Sequence, residues 1–148
     1  MNYRETLEKE MIAATKAKDK DRLSALRLIK NVLHNREIDL QRELNDEEVL
    51  QALASMAKQR NDSIEQFRHG GRQDLVDKET KELSVIMEFM PPQLSDAEVD
   101  REIEEAVSEV SATSIKDMGK VMKLLMARLT GKVDGKLLGD KVKARLST

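Results

Sequence analysis

The sequence predicts an all-α protein, with an N-terminal antiparallel helical bundle over residues 1–90 and a small three-helix domain over residues 91–148. Three observations predict it. Apolar residues recur at helical spacing, β-branched residues never alternate with polar ones for long, and the two prolines stand together at Pro91-Pro92. A proline pushes the residue before it out of the helical region, so a helix ends near Met90 and the domain boundary falls there. With 148 residues the chain can bury a core without covalent staples.

The first helix is predicted from about Tyr3 to Lys18, with Leu7, Met11, Ala13 and Ala14 inward. The second spans about Arg22 to Gln41, where Leu23, Leu26, Ile29, Leu33 and Leu40 share one side and Leu28 and Val32 widen it into a broad buried stripe. Asn45 with Glu48 three residues on has the form of a capping box, and Asp46-Glu47-Glu48 puts negative charge where the helix dipole favours it. The third helix therefore starts there, buries Val49, Leu50, Leu53, Met56, Ile64 and Phe67, and stops at Gly70-Gly71. The fourth, about Arg72 to Met90, carries Leu75, Val76, Leu83, Ile86, Met87 and Met90 at helical spacing. Long helices with short links suggest an antiparallel bundle.

After the prolines, Ser95-Asp96-Ala97-Glu98 opens a helix with Val99, Ile103, Val107 and Val110 inward. A second cap at Ser114 to Asp117 opens an amphipathic helix whose Met118, Val121, Met122, Leu125, Met126 and Leu129 fall on one face. Gly119 lies inside it, where glycine costs about 0.5–1 kcal/mol relative to alanine, so close approach of another helix or of a ligand is expected there, with helix packing favoured. A turn through Gly131–Gly135 leads to a last helix holding Leu137, Leu138, Val142 and Leu146.

Composition removes several function classes. Cysteine is absent, which excludes thiolate metal sites and a cysteine nucleophile, and His34 and His69 are too few for a histidine-rich metal site. Each histidine reads as a helix-surface residue. Paired acids are numerous but read as solvated faces in a chain that is 36% charged. Gly131-Lys132-Val133-Asp134-Gly135-Lys136 is one residue short of a phosphate loop, with Leu137 where Ser or Thr would hold magnesium, so it reads as a tight turn. No catalytic residue, metal site or cofactor is predicted. With no apolar run long enough to span a membrane and no signal-peptide core at the start, the expectation is a cytoplasmic protein without membrane attachment.

The net charge is only −2, yet it is unevenly placed. Residues 91–114 hold seven acids and one base, and residues 115–148 hold three acids and nine bases. Lys116, Lys120 and Lys123 fall opposite the Met/Leu stripe, Arg128, Lys132 and Lys136 continue the charge into the loop, and Lys141, Lys143 and Arg145 extend it into the final helix. Such a face can neutralise phosphates. It can equally be a solvated face balanced by the acidic helix at 96–109, and charge alone leaves both readings open.

Five ordered runs resemble the GatB/YqeY family: Lys58 to Ile64, Gly71 to Leu75, Phe89 to Ser95, Lys116 to Met122 and Gly131 to Lys136. The resemblance covers essentially the whole chain and is strongest to the short, free-standing YqeY-type members. They share their helical and tail domains with the C-terminal part of the GatB component of aspartyl/glutamyl-tRNA amidotransferase, whose tail holds the misacylated tRNA. The resemblance implies a tRNA-binding accessory module that works with an amidotransferase or an aminoacyl-tRNA synthetase, and the charge pattern of the tail makes Lys116, Lys120, Lys123, Arg128, Lys132, Lys136, Lys141 and Lys143 the candidate nucleic-acid contacts. It associates the chain with carbon-nitrogen ligase chemistry in translation, but the chain has no room for the catalytic domain and alone is expected not to catalyse. A helical protein-interaction module without a nucleic-acid role is the alternative. Two positions depart from the family. Ser111-Ala112-Thr113 replaces a Gly-Ala step, which predicts a looser connection between the fifth and sixth helices, and Gly139 replaces a serine, leaving no side chain there to reach a ligand.

Overall fold

A computed structural model describes residues 2–147, and among them there are helices and no strand. The helices are α1 (Tyr3–Lys16), α2 (Lys20–Leu40), α3 (Asp46–His69), α4 (Gln73–Glu88), α5 (Asp96–Glu109), α6 (Met118–Leu129) and α7 (Gly135–Leu146), with a single 3-10 turn at Ile115–Asp117. The chain divides into two compact units, Met1–Pro91 and Pro92–Thr148.

In the first unit α1 packs on α2, α2 on α4, and α3 on α4 along its length. Leu26, Ile29, Leu53, Ile86 and Phe89 lie at the centre of its core. The ends of the helices are set locally. Asn45 and Glu48 form the full capping box, the Asn45 side chain accepting from the Glu48 amide and the Glu48 carboxylate accepting from the Asn45 amide. At the far end Gly71 takes φ +71° and the Arg72 amide closes on the Phe67 carbonyl, a left-handed step that a side chain would strain. α1 stops at Lys16, two residues before the expected end, because Lys18 turns to φ 58° and Asp19 caps α2 through the Arg22 amide. The α2 stripe is also narrower than the sequence predicts: Leu28 and Leu40 are exposed, since α1 and α4 cover only the Leu26–Ile29–Leu33 side.

Two ion-pair clusters tie these helices. The Arg60 guanidinium, within the Lys58–Ile64 run, lies 2.8 Å from Glu82 and 3.3 Å from Glu79, joining α3 to α4 with all three side chains mostly buried. Arg22 reaches Glu10 of α1 at 2.8 Å and Glu88 of α4 at 2.7 Å. Arg42 grips Glu48 at 2.7 Å, and this guanidinium, with the Asn45 amide, holds the Glu48 carboxyl down at about 2.

The second unit is a three-helix core in which α5, α6 and α7 each touch the other two. Val99, Val121, Leu125, Leu138 and Val142 are its largest fully buried side chains. Ser95 and Glu98 form a capping box at α5. The second cap opens the 3-10 turn rather than α6 itself: Ser114 and Asp117 cap Ile115–Asp117, and α6 follows from Met118. The α5–α6 connection is not loosened by the loss of glycine. Ser111 takes φ 54°, the Ser111 amide bonds the Ser108 carbonyl, and the Ala112 amide bonds the Val107 carbonyl, so the tight turn is kept at the cost of left-handed strain on serine.

Separate cores give separate sensitivities. Leu125→Ala, at a site with no exposed surface, should destabilise the second unit by about 2–5 kcal/mol and leave hydrogen-exchange protection of α2 and α3 unchanged. Loss of protection in both units together would contradict that separation. Glu48 supplies a pH handle. Its folded pKa is depressed, so its contribution is complete above the ordinary carboxylate range and is lost as pH falls towards about 2. Glu48→Gln should therefore lower the melting temperature at pH 7, and the gap to the parent should close as the pH is taken down towards about 2.

Candidate nucleic-acid interface

Burial of Val121, Leu125 and Leu129 fixes the rotation of α6, and burial of Leu138, Val142 and Leu146 fixes that of α7. Lys120 and Lys123 are thereby turned to solvent on α6, and Lys136 and Lys143 on α7, with Lys116 exposed in the 3-10 turn and Lys132 in the loop. The acidic helix decides which of the nine cations of residues 115–148 are already engaged. Asp96, Asp100 and Glu104, one turn apart along α5, meet α7: Lys141 Nζ lies 2.9 Å from Asp100 and 3.8 Å from Asp96, and Arg145 makes a two-point contact with Glu104. On the other side of the unit Arg128 holds Glu109. Each of these bases is made harder to deprotonate by its carboxylate partner, and Glu104 is held below the usual carboxylate range by Arg145.

The eight residues predicted from the sequence therefore separate. Arg128 and Lys141 each stand in an ion pair with a carboxylate of α5, Glu109 and Asp100 respectively. Lys116, Lys120, Lys123, Lys132, Lys136 and Lys143 have no carboxylate of a described residue within ion-pair distance. Asp117 follows Lys116 in the chain. It accepts from the Thr113 amide at 2.9 Å and the Ser114 amide at 3.3 Å, and those bonds, with Lys120 nearby, hold its carboxyl below the ordinary range.

Three further expectations change. Nothing lies within 4 Å of the position a Gly119 side chain would fill, so no helix approaches there and the glycine opens onto solvent beside Lys116, Lys120 and Lys123. Met126 is 46% exposed, although its terminal methyl lies 4.0 Å from the position a Gly135 side chain would fill, as the Met122 methyl does at Gly139. In the 131–135 loop only Gly131 uses positive φ, at 78°, while Gly135 is already helical. Sequence reasoning missed what holds this loop: the Gln93 amide donates to the Gly131 carbonyl at 2.6 Å and the Leu94 amide to the Lys132 carbonyl at 2.9 Å. Both bonds join residues nearly forty positions apart, and no local signal announces them.

The first unit has a cleft of about 600 Å³ beside Tyr3, Leu7, His34 and Asp46. Its Arg4–Glu37 and Lys30–Glu8 pairs, 2.8 and 2.6 Å long, satisfy one another and leave those cations engaged. Among the described residues there is no cluster of three or more His, Cys, Asp or Glu side chains placed to hold a metal, and no helix long and apolar enough to cross a membrane.

The sequence matches the profile of the family described as Yqey-like protein over residues 4–146, which takes in both units. The chain belongs to this family. Similar proteins include the Altered inheritance of mitochondria protein 41, mitochondrial, of three yeasts. The Lachancea thermotolerans protein is 34% identical over 76% of this chain and 60% of its own length. The Kluyveromyces lactis protein is 29% identical over 93% of this chain and 72% of its own length, and the Saccharomyces cerevisiae protein 30% over 89% and 68%. The chain thus spans less than two thirds of the Lachancea thermotolerans relative. The runs at Lys116–Met122 and Gly131–Lys136 lie within the matched residues and fold into the 3-10 turn with the start of α6 and into the pinned loop with the start of α7.

Because no atom stands near the absent Gly119 side chain, Gly119→Ala should stabilise the second unit by up to about 1 kcal/mol, read as a higher melting temperature. A lower one would show that the glycine is needed by the fold.

Proposed function

We propose that this Yqey-like protein is a tRNA-binding accessory module whose contact surface is the set Lys116, Lys120, Lys123, Lys132, Lys136 and Lys143. The observation that supports it most is the division of charge. α5 pairs with Arg128, Lys141 and Arg145, and these six lysines have no carboxylate of a described residue within ion-pair distance. Gly119 adds to it, since a helix position stripped of its side chain beside three lysines gives a phosphate access to the backbone.

The chain acts with a partner that supplies the chemistry, an amidotransferase or an aminoacyl-tRNA synthetase, and does not itself carry out amide transfer. Its place of action is a compartment that holds tRNA, either the cytoplasm or, as the relatives' names suggest, the mitochondrion. A second reading, a protein-interaction module without RNA, draws support from Ile12, Ile38 and Leu40, which stand exposed on α1 and α2.

Charge reversal of Lys120, Lys123 and Lys132 to Glu separates the two readings. tRNA affinity should fall by at least tenfold at physiological salt with an unchanged melting temperature, because none of the three has an ion pair with a described residue to lose. Gly119→Ala should weaken binding while raising the melting temperature. Absence of saturable tRNA binding by the parent protein would favour the protein-interaction reading.

A further inference from the structure

The side chains of the second unit limit what a basic surface there can recognise. Reading a base edge requires particular groups within reach: Arg, or Lys where the major groove is open, for guanine, Asn or Gln for adenine, and aromatic rings or free guanidinium planes for unstacked bases. From Pro92 onward the chain has no aromatic residue, no histidine and no asparagine. Its one glutamine, Gln93, gives its amide to the Gly131 carbonyl. Arg128 and Arg145 are held by Glu109 and Glu104, and Arg101 lies on α5 between Asp100 and Glu102, in the acidic segment that RNA avoids. The hydroxyls near the lysines are also engaged, Thr130 bonding the Met126 carbonyl and Ser114 capping the 3-10 turn.

What remains is six ammonium groups. Each is a compact point charge without the planar fork of arginine, and in A-form RNA the major groove is too deep and narrow for such side chains to read. Resting on the tRNA reading above, we infer that this surface recognises the sugar–phosphate backbone of folded RNA and is indifferent to base identity, so that selection among tRNAs belongs to the partner enzyme. Asp140 carries the inference a step further. It lies on α7 between Lys136 and Lys143, it has no ion-pair partner among the described residues, and it is the one acid of residues 115–148 that caps nothing. It therefore subtracts from the affinity of the surface without supporting its structure.

The experiment measures binding of the full chain to three tRNA transcripts of unrelated sequence over a range of NaCl concentrations, with Asp140→Lys beside the parent. Backbone recognition predicts affinities within about threefold of one another at every salt concentration, and a slope of about −4 to −5 in log affinity against log salt for six phosphate contacts. Asp140→Lys should tighten binding to all three transcripts alike and steepen the slope by about one. A tenfold or larger spread among the transcripts, or a shallow slope with affinity retained, overturns the inference and leaves tRNA binding in place. No saturable binding to any transcript removes the tRNA reading, and the inference with it.

Discussion

Helices of twelve residues such as α6 and α7 do not persist alone in water, where isolated helices shorter than about 12–15 residues are marginal. Everything in the second unit depends on the apolar seam that these two share with α5. Val121, Leu125 and Leu129 on one helix, Leu138, Val142 and Leu146 on the next, and Val99, Ile103, Ala106 and Val107 on the third form a single buried cluster. That burial also fixes the outward direction of each helix. Once Val121 and Leu125 point inward, Lys120 and Lys123 cannot do so, and the cationic surface is a by-product of core packing.

Electrostatics then acts on a surface already laid out. Asp96, Asp100 and Glu104 repeat at one-turn intervals, as do Lys141 and Arg145, so two short helices can align acid against base in a single register. Exposed pairs of this kind add little stability each, and their larger effect is to take three cations off the available surface. The unit is left electrically polar, acidic on α5 and cationic across the exposed parts of α6, the loop and α7. The glycines fit the same division. Gly131 is required by a positive φ, Gly139 by nothing closer than a methionine methyl, and Gly119 by no contact inside the protein.

The first unit uses its charges differently. Arg22, Arg42 and Arg60 each bind carboxylates across or within helices, and Arg4 and Lys30 are paired beside the cleft. Arg22 and Arg60 hold one helix to another and Arg42 ties the α2–α3 connection to α3, which suits the planar fork of the guanidinium and leaves them engaged.

The sequence by itself determined the helices and their ends. Asn45 with Glu48, Ser95 with Glu98, Ser114 with Asp117, the Gly70-Gly71 stop and the proline pair all act within a few residues, through backbone hydrogen bonds and allowed dihedral angles that need no distant partner. It also placed every lysine of the surface. Only the tertiary structure decided which cations are free, because Lys141 and Arg145 find their carboxylates 41 positions away on α5, a separation across which no periodicity carries. The same holds for the exposure of Leu28 and Met126, the open space at Gly119 and the pinned carbonyls of Gly131 and Lys132. Local patterns fix which face of a helix is apolar, whereas the neighbouring helix alone determines how much of that face is covered and which charges it meets.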